Sequence, residues 1–463
     1  MGIGDDGPTM TTPSGERLAE DVPSSGRRRL GSGLVPLLLF AVAAVVYGLT
    51  IAHQVVSLDV WSANFGSWHL ARTGNPWIEG VHVPVLDDNP LRHEWVLDVN
   101  GHSVIGRSPG VIAAGLPAYW LTRSATFTTT PGGLTAAVLT AAAVTLLYGA
   151  LRSRLTAPQA LLGAVVFGFA TPVWTVAANG VWPHTITVLG ICGMAWAASG
   201  NRWWWAGFFG GITLWGRLHA ALIVAVLGLL VGIRRRSPAV VLRVGLVSAA
   251  FLGLISVWTH WMYGTWDPTA SYDTTPFTDY AAAHRLSLVN QLGFWVSPDR
   301  GIFVWTPLTL LLLPALVRSW RTLPDWSRAL VWGGLSYTVL QGVLNYFWGG
   351  DVFYGYRLGL EMLASATPAL AFSAVRMGRV ARLLFGPVLG IEAVATAYGA
   401  LHDQAWLPGD EVWHHNAFVS AADQHGAVVW VPVVLAAVAG LVGQRLLGPW
   451  LAQRGTVSSH TVP

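Results

Sequence analysis

The amino-acid sequence predicts an all-α polytopic membrane protein of about 12 (11–13) transmembrane helices, with a long first extracytoplasmic loop carrying interfacial helices. Apolar runs recur from Leu34 almost to the C-terminus, each near the roughly 20 residues that a hydrocarbon core of about 30 Å demands. Composition agrees, since 53% of the 463 residues are hydrophobic and only 11% are charged. Short segments of alternating polarity, the mark of a membrane barrel, are not seen.

Residues 1–33 are rich in Gly, Pro, Ser and charge, lack an apolar run, and read as a disordered cytoplasmic tail. The first span, 34–56, follows Arg27-Arg28-Arg29; no small-residue cleavage site comes after it, so it reads as a retained anchor and not a signal peptide. Further spans are expected near 131–151, 159–177, 183–200, 203–217, 218–233, 244–262, 302–317, 329–347, 357–375, 383–401 and 427–447. Residues 34–447 thus form one transmembrane domain, followed by a cytoplasmic C-terminal tail at 448–463. Pro109 to Thr122 is apolar but short, a length that suits an interfacial or re-entrant helix. A full span there would make the total 13 and exchange the side of every later arginine.

All 27 basic side chains are arginines. With both termini in the cytoplasm, most of them, including Arg152, Arg154, Arg202, Arg234 to Arg236, Arg318, Arg321, Arg328, Arg376, Arg379 and Arg382, fall on the inner side, as the positive-inside rule requires of a plasma-membrane protein. The net charge of +4 then follows from topology and implies no nucleic-acid partner. The single cysteine, Cys192, lies in an apolar run, which excludes an intrachain disulfide and reads as core packing. Many of the 25 tryptophans, Trp203-Trp204-Trp205 among them, suit an interfacial belt.

The acids collect on the outer side: Asp59, Glu79, Asp87, Asp88, Glu94 and Asp98 in a loop over about 57–130, Asp267, Asp273, Asp279 and Asp299 over 263–301, Asp351 within 348–356, and Asp403, Asp410, Glu411 and Asp423 over 402–426. Histidines other than His460 lie on that side or in spans near it. Long outer loops point to function there. Ala63 to Ala71 suits a helix lying flat at the membrane surface, stopped by Gly74-Asn75-Pro76.

Asp59 follows the first apolar run directly. A carboxylate at the mouth of a membrane helix is costly to desolvate, so it is either solvated at the interface or kept for a purpose. Glu392 lies deepest in its helix and calls for a partner or a protonated state.

A set of segments resembles the GT-C superfamily of integral membrane glycosyltransferases, in particular bacterial mannosyl- and arabinosyl-transferases. They are the acid after the first span, the helix closing on Thr73-Gly74-Asn75-Pro76, and Gly106-Arg107-Ser108-Pro109-Gly110-Val111 before a short apolar helix. Two more are Gly293 to Pro307, which contains Ser297-Pro298-Asp299-Arg300-Gly301, and Phe347-Trp348-Gly349-Gly350-Asp351-Val352-Phe353-Tyr354-Gly355-Tyr356-Arg357. The likeness covers roughly 34 to 375. This chain carries Gly-Tyr-Arg where those members often carry Gly-Pro-Arg, and no second acid adjoins Asp59, which leaves metal requirement and donor open.

The resemblance implies transfer of a hexosyl or pentosyl group from a polyprenyl-phosphate donor to a glycan, lipid or protein acceptor of the cell envelope, with membrane lipid as surroundings. Asp59 would match the family's first-loop carboxylate and act as general base on the acceptor hydroxyl, for which it must stand within hydrogen-bond reach. The departing lipid phosphate calls for a fixed cation. Arg357 suits that role through two-point hydrogen bonding, although a pair with Glu361 one turn on is the plainer reading. Arg300 is a second candidate unless Asp299 occupies it. Arg217 and His219, at an outer hairpin where family members often carry an arginine, suit donor-lipid contact. Asp87 and Asp88 could position the acceptor or bind a divalent cation through oxygen ligands, and Asn89-Pro90 after them equally makes a turn. Trp61, Trp68 and Trp348 suit stacking on a sugar or an interfacial belt. A secondary transporter or lipid-linked sugar flippase fits the same apolar bulk, but no internal repeat is found and the charges crowd one face.

Overall fold

The computed structural model describes residues 1–2, 33–52, 56–89, 91–271, 287–402 and 405–451. The expected N-terminal tail and most of the C-terminal tail lie outside the described residues. The chain is a helical membrane protein, and four of its described helices are long and apolar enough to cross a bilayer.

Its helices are α1 (Leu34–Leu49), α2 (Leu58–Thr73), α3 (Pro109–Thr122), α4 (Thr130–Leu151), α5 (Ala157–Phe169), α6 (Pro183–Ser199), α7 (Trp203–Gly216) and α8 (Ala221–Arg234). There follow α9 (Pro238–Tyr263), α10 (Leu288–Val296), α11 (Pro307–Ser319), α12 (Asp325–Leu344), α13 (Leu360–Ser373), α14 (Arg379–Leu401), α15 (Ala417–His425) and α16 (Ala427–Leu451). Helix α4 packs on α1 and α6, α7 on α6 and α9, α12 on α8 and α13, and α14 on α16. The long helices meeting the membrane criteria are α4, α9, α14 and, over Ala427–Leu446, α16.

Leu37, Leu38, Val42 and Val45 on α1, Leu242, Leu246 and Leu254 on α9, and Val431, Val434, Leu435 and Val438 on α16 are exposed. Such outward aliphatic faces belong against lipid. With apolar side chains costing nothing there, helix pairing in a bilayer depends on close backbone approach. The α14–α16 seam supplies it: a Cβ on Gly386 would stand 2.2 Å from the Gly440 carbonyl oxygen.

Several expected spans are revised. The first helix ends at Leu49, short of 56, so Asp59 does not sit at its mouth; it is the second residue of α2, behind the N-cap Ser57. The expected span 159–177 is α5 to Phe169, then, past Pro172, a π-turn over Val173–Ala177. Proline has no N–H to continue an α-helical ladder, which accounts for the break. The expected surface helix at Ala63–Ala71 lies within α2, where Ser62, Asn64, Phe65, Ser67 and His69 are all buried, and Ser67 donates to the Ile112 carbonyl of α3 at 2.9 Å. Ser62, Ser67 and His69 on that helix take internal hydrogen-bond partners.

The all-α expectation is amended by one hairpin, β1 (Val96–Val99) with β2 (His102–Ile105), paired antiparallel with Val99 opposite His102. Asn100 and Gly101 have φ of 53° and 82°, the left-handed pair that a two-residue turn needs. The hairpin covers α2 through Ile105, which lies against Gly66.

Candidate active site

Ser57 accepts the Asp59 backbone N–H and opens α2, which turns the Asp59 carboxylate toward three donors. Arg107 Nη2 donates to Oδ1 at 2.7 Å, Trp95 Nε1 donates to the same oxygen at 3.0 Å, and Arg357 Nη1 donates to Oδ2 at 2.6 Å. Side-chain exposure is 28% for Asp59, 4% for Arg107 and 13% for Arg357. Burial by itself would raise the proton affinity of Asp59, but the Arg107 and Arg357 charges, with hydrogen bonds from Arg357 and Trp95, overcome it and hold the carboxyl well below the usual range. Arg107 is anchored in turn by donating to Ser62 Oγ and to the Glu94 carbonyl, both at 3.0 Å.

Arg357 is positioned by its surroundings. Its guanidinium lies 4.9 Å from the Trp182 ring centre and 5.3 Å from that of Phe353, contacts favourable to a cation. Gly349 and Gly350, with φ of 69° and 90°, turn the chain around it, and a Cβ on Gly349 would meet Arg357 Nε at 3.2 Å. Arg357 Nε is buried with no hydrogen-bond partner. One donor of a guanidinium fork therefore remains unspent beside the ion pair. A cleft lined by Ser57, Val60, Asn179, Trp182 and Phe353 adjoins it.

Further along the interior, His184 Nδ1 contacts Glu361 Oε1 at 2.8 Å and Thr187 Oγ donates to the same oxygen at 2.7 Å. Glu361 is thus committed to His184, and in place of the alternative Arg357–Glu361 pair Arg357 binds Asp59. Arg217 donates to Tyr337 Oη at 3.3 Å. The His219 ring stacks on Tyr337 at 5.3 Å, with Gln341 Nε2 at 2.5 Å from His219 Nε2.

The other candidates are more remote in role. Arg300 is fully buried, pairs with Asp299, and donates to the Leu407 carbonyl at 3.0 Å. Asp299 accepts the Ala417 N–H at 2.7 Å, so this pair ties α15 to the loop before α11. Asp87 makes the turn that its sequence allowed: it accepts Val83 N–H at 2.7 Å and contacts His82 at 3.1 Å. Asp88 lies at the surface. Trp61 stacks on Phe65 at 5.3 Å and meets Phe127, and Trp348 stacks on Tyr346 at 4.2 Å. Among the described residues no group of three or more His, Cys, Asp or Glu side chains is arranged to hold a metal. Asp87 is taken up by its turn and Asp59 by two arginines.

No protein-family model matches the chain, and no curated protein matches it. Solved structures do. The oligosaccharyltransferase of Archaeoglobus fulgidus in its apo form aligns with a TM-score of 0.43 and 13% identity, over 92% of this chain and 60% of that one. The same protein in complex with zinc and sulfate aligns with a TM-score of 0.40 and 14% identity, over 89% and 53%. The chain therefore spans 60% or less of the length of that protein. At this distance the likeness fixes neither activity nor substrate.

Sequence reading singled out Asp59 and Arg357 separately, did not pair them with each other, and missed Arg107 and Trp95. Arg107 stood inside a quoted motif without a role, and its signal was a lone charge between Gly106 and the apolar start of α3. Trp95 gave none, since its indole differs from interfacial tryptophans only in where the hairpin holds it.

Proposed function

We propose that the chain is a GT-C-type membrane glycosyltransferase that moves a sugar from a polyprenyl-phosphate donor to a cell-envelope acceptor at the outer face of the plasma membrane. The observation that carries this reading is the contact of Asp59 with Arg107 and Arg357, one carboxylate and two guanidiniums beside a cleft.

Clamped by two arginines, Asp59 is a weak base. The donor phosphate activates it by taking Arg357 as its partner, through the unspent Nε and a second guanidinium donor. Loss of that cation and the arrival of a neighbouring anion both raise the proton affinity of Asp59. The carboxylate then accepts the acceptor hydroxyl proton as the new glycosidic bond forms and the bond from the anomeric carbon to phosphate breaks. Arg357 balances the charge on the leaving lipid phosphate. Arg107 stays on Asp59 and keeps its carboxylate oriented. Arg217, within electrostatic reach of Arg357, adds to the positive field there.

The test combines purified protein in nanodiscs with radiolabelled polyprenyl-phosphate sugars and candidate acceptors. Wild type transfers label, and Asp59→Ala and Arg357→Gln lose transfer by about 10³-fold, the order expected for removing a transition-state contact. Equal transfer by Asp59→Ala removes this carboxylate from the mechanism. The buried His184–Glu361 pair is the feature a carrier would share. Lipid flipping in proteoliposomes that survives Asp59→Ala, without label transfer, would favour that second reading.

A further inference from the structure

At the opposite end of the bundle a second site is built from different residues. Helix α6 runs from His184, in the interior network beside Arg357, to Ser199, a span of roughly 22 Å at the α-helical rise. Ser199 lines a polar cleft of about 410 Å³. Arg154, Arg234, Arg235, Arg321 and Arg328 also line it, with Asp325 the only carboxylate among its lining residues.

That carboxylate is already committed. Arg235 grips Asp325 with two hydrogen bonds, Nε to Oδ2 at 2.5 Å and Nη2 to Oδ1 at 2.8 Å. Arg235 also donates to Asn201 Oδ1 at 2.5 Å and lies 5.1 Å from the Trp203 ring centre. This locks one wall. Among the described residues no carboxylate lies within ion-pair distance of Arg154, Arg234, Arg321 or Arg328. Arg328 Nε is buried and has no hydrogen-bond partner, and Arg328 feels both the repulsion of Arg234 and the attraction of Asp325.

The positive-inside rule accounts for arginines at this end. It does not account for their convergence on one concavity, nor for a guanidinium donor buried with nothing to receive it. Charges of one sign lining a cleft focus their field and concentrate counter-ions, and guanidinium forks match phosphate oxygens. We infer that this arginine cleft binds a phosphate-bearing anion, either the headgroup of an acidic phospholipid or a soluble phosphate compound. The site is separate from Asp59 and does not rest on the glycosyltransferase reading.

The probes are inorganic pyrophosphate, titrated calorimetrically into protein in phosphatidylcholine nanodiscs, and phosphatidylglycerol, whose retention is measured by native mass spectrometry. Arg154 and Arg321 are exposed, so the Arg154→Gln/Arg321→Gln double variant folds normally. It weakens pyrophosphate binding or lipid retention by about tenfold or more, as loss of two charge-assisted contacts requires. Arg379→Gln, at the same end but outside the cleft, leaves both readouts unchanged. Lipid retention alone identifies a headgroup, pyrophosphate binding alone a soluble phosphate compound, and both support the site. Binding in neither arm overturns it, as does equal weakening by Arg379→Gln or indifference to the double variant.

Discussion

Replacing Asp59 by Asn and Arg357 by Gln, singly and together, measures how strongly the two ends of the site are coupled. Nη1 of Arg357 lies 2.6 Å from Oδ2 of Asp59, which sets the two charge centres about 4 Å apart and gives roughly 4 kcal/mol at an effective dielectric constant near 20. With the Asp59 side chain 28% exposed, solvent screening reduces this to about 2 kcal/mol. The two single variants are not equivalent. Arg357→Gln leaves Asp59 neutralised by Arg107, whereas Asp59→Asn leaves two largely buried guanidiniums facing each other, so the aspartate variant is the less stable of the two. Equilibrium unfolding by a denaturing detergent in mixed micelles supplies the four free energies of the cycle. A coupling below about 0.5 kcal/mol would reduce the contact to an ordinary surface pair, and the proposed exchange of Asp59 for phosphate would lose its basis. A greater loss in Arg357→Gln than in Asp59→Asn would contradict the role given to Arg107.

Burial pushes the Asp299 carboxyl up to about 6, against the pull of Arg300. Its native state then holds a proton that the unfolded chain has released, so its contribution to stability is present below pH 4 and is lost as pH rises through 6; Asp299→Asn removes that part of the melting-temperature profile, and an unchanged profile refutes the assignment. Glu392 accepts the N–H of Leu308 at the start of α11. Glu392→Gln keeps an acceptor there, whereas Glu392→Leu orphans a buried donor and costs about 1–3 kcal/mol in detergent unfolding; equal stability of the two would discount that bond. Gly349→Ala, at φ 69° and facing Arg357, loses about 1 kcal/mol of stability and lowers transfer by displacing the guanidinium, so unaltered transfer would separate this turn from the site.

The membrane class and most helix positions were legible because apolar runs of span length have few other meanings. Breaks inside them were harder to read. Pro172 lies within the expected span 159–177 without an accompanying polar cluster, and only the tertiary structure reveals that the ladder ends at Phe169. The hairpin carried a readable signal in Asn100-Gly101 between Val96-Leu97-Asp98-Val99 and His102-Ser103-Val104-Ile105, obscured by its setting in a chain that is otherwise helical. At the site, charge type led to Arg357, and Asp59 was singled out by a helix-mouth position that the structure moves to the start of α2. Pairwise partners were not readable: Glu361 is one turn from Arg357, yet its oxygen is taken by His184 from a distant helix. Glu392, whose partner could not be named from sequence, is met by a backbone N–H, which leaves no side-chain signature.

The two partners of Asp59 also differ in when they exist. Arg107 is 48 residues away along the chain and Arg357 is 298, so a chain made from its N-terminus onward has Arg107 long before Arg357. The first ion pair can shield the carboxylate while the following helices enter the bilayer, and the second joins only after α12 has been made. Assembly of the candidate centre therefore waits on the helices from α3 to α12, and a nascent chain that stalls before Arg357 lacks the cation that the proposed transfer requires.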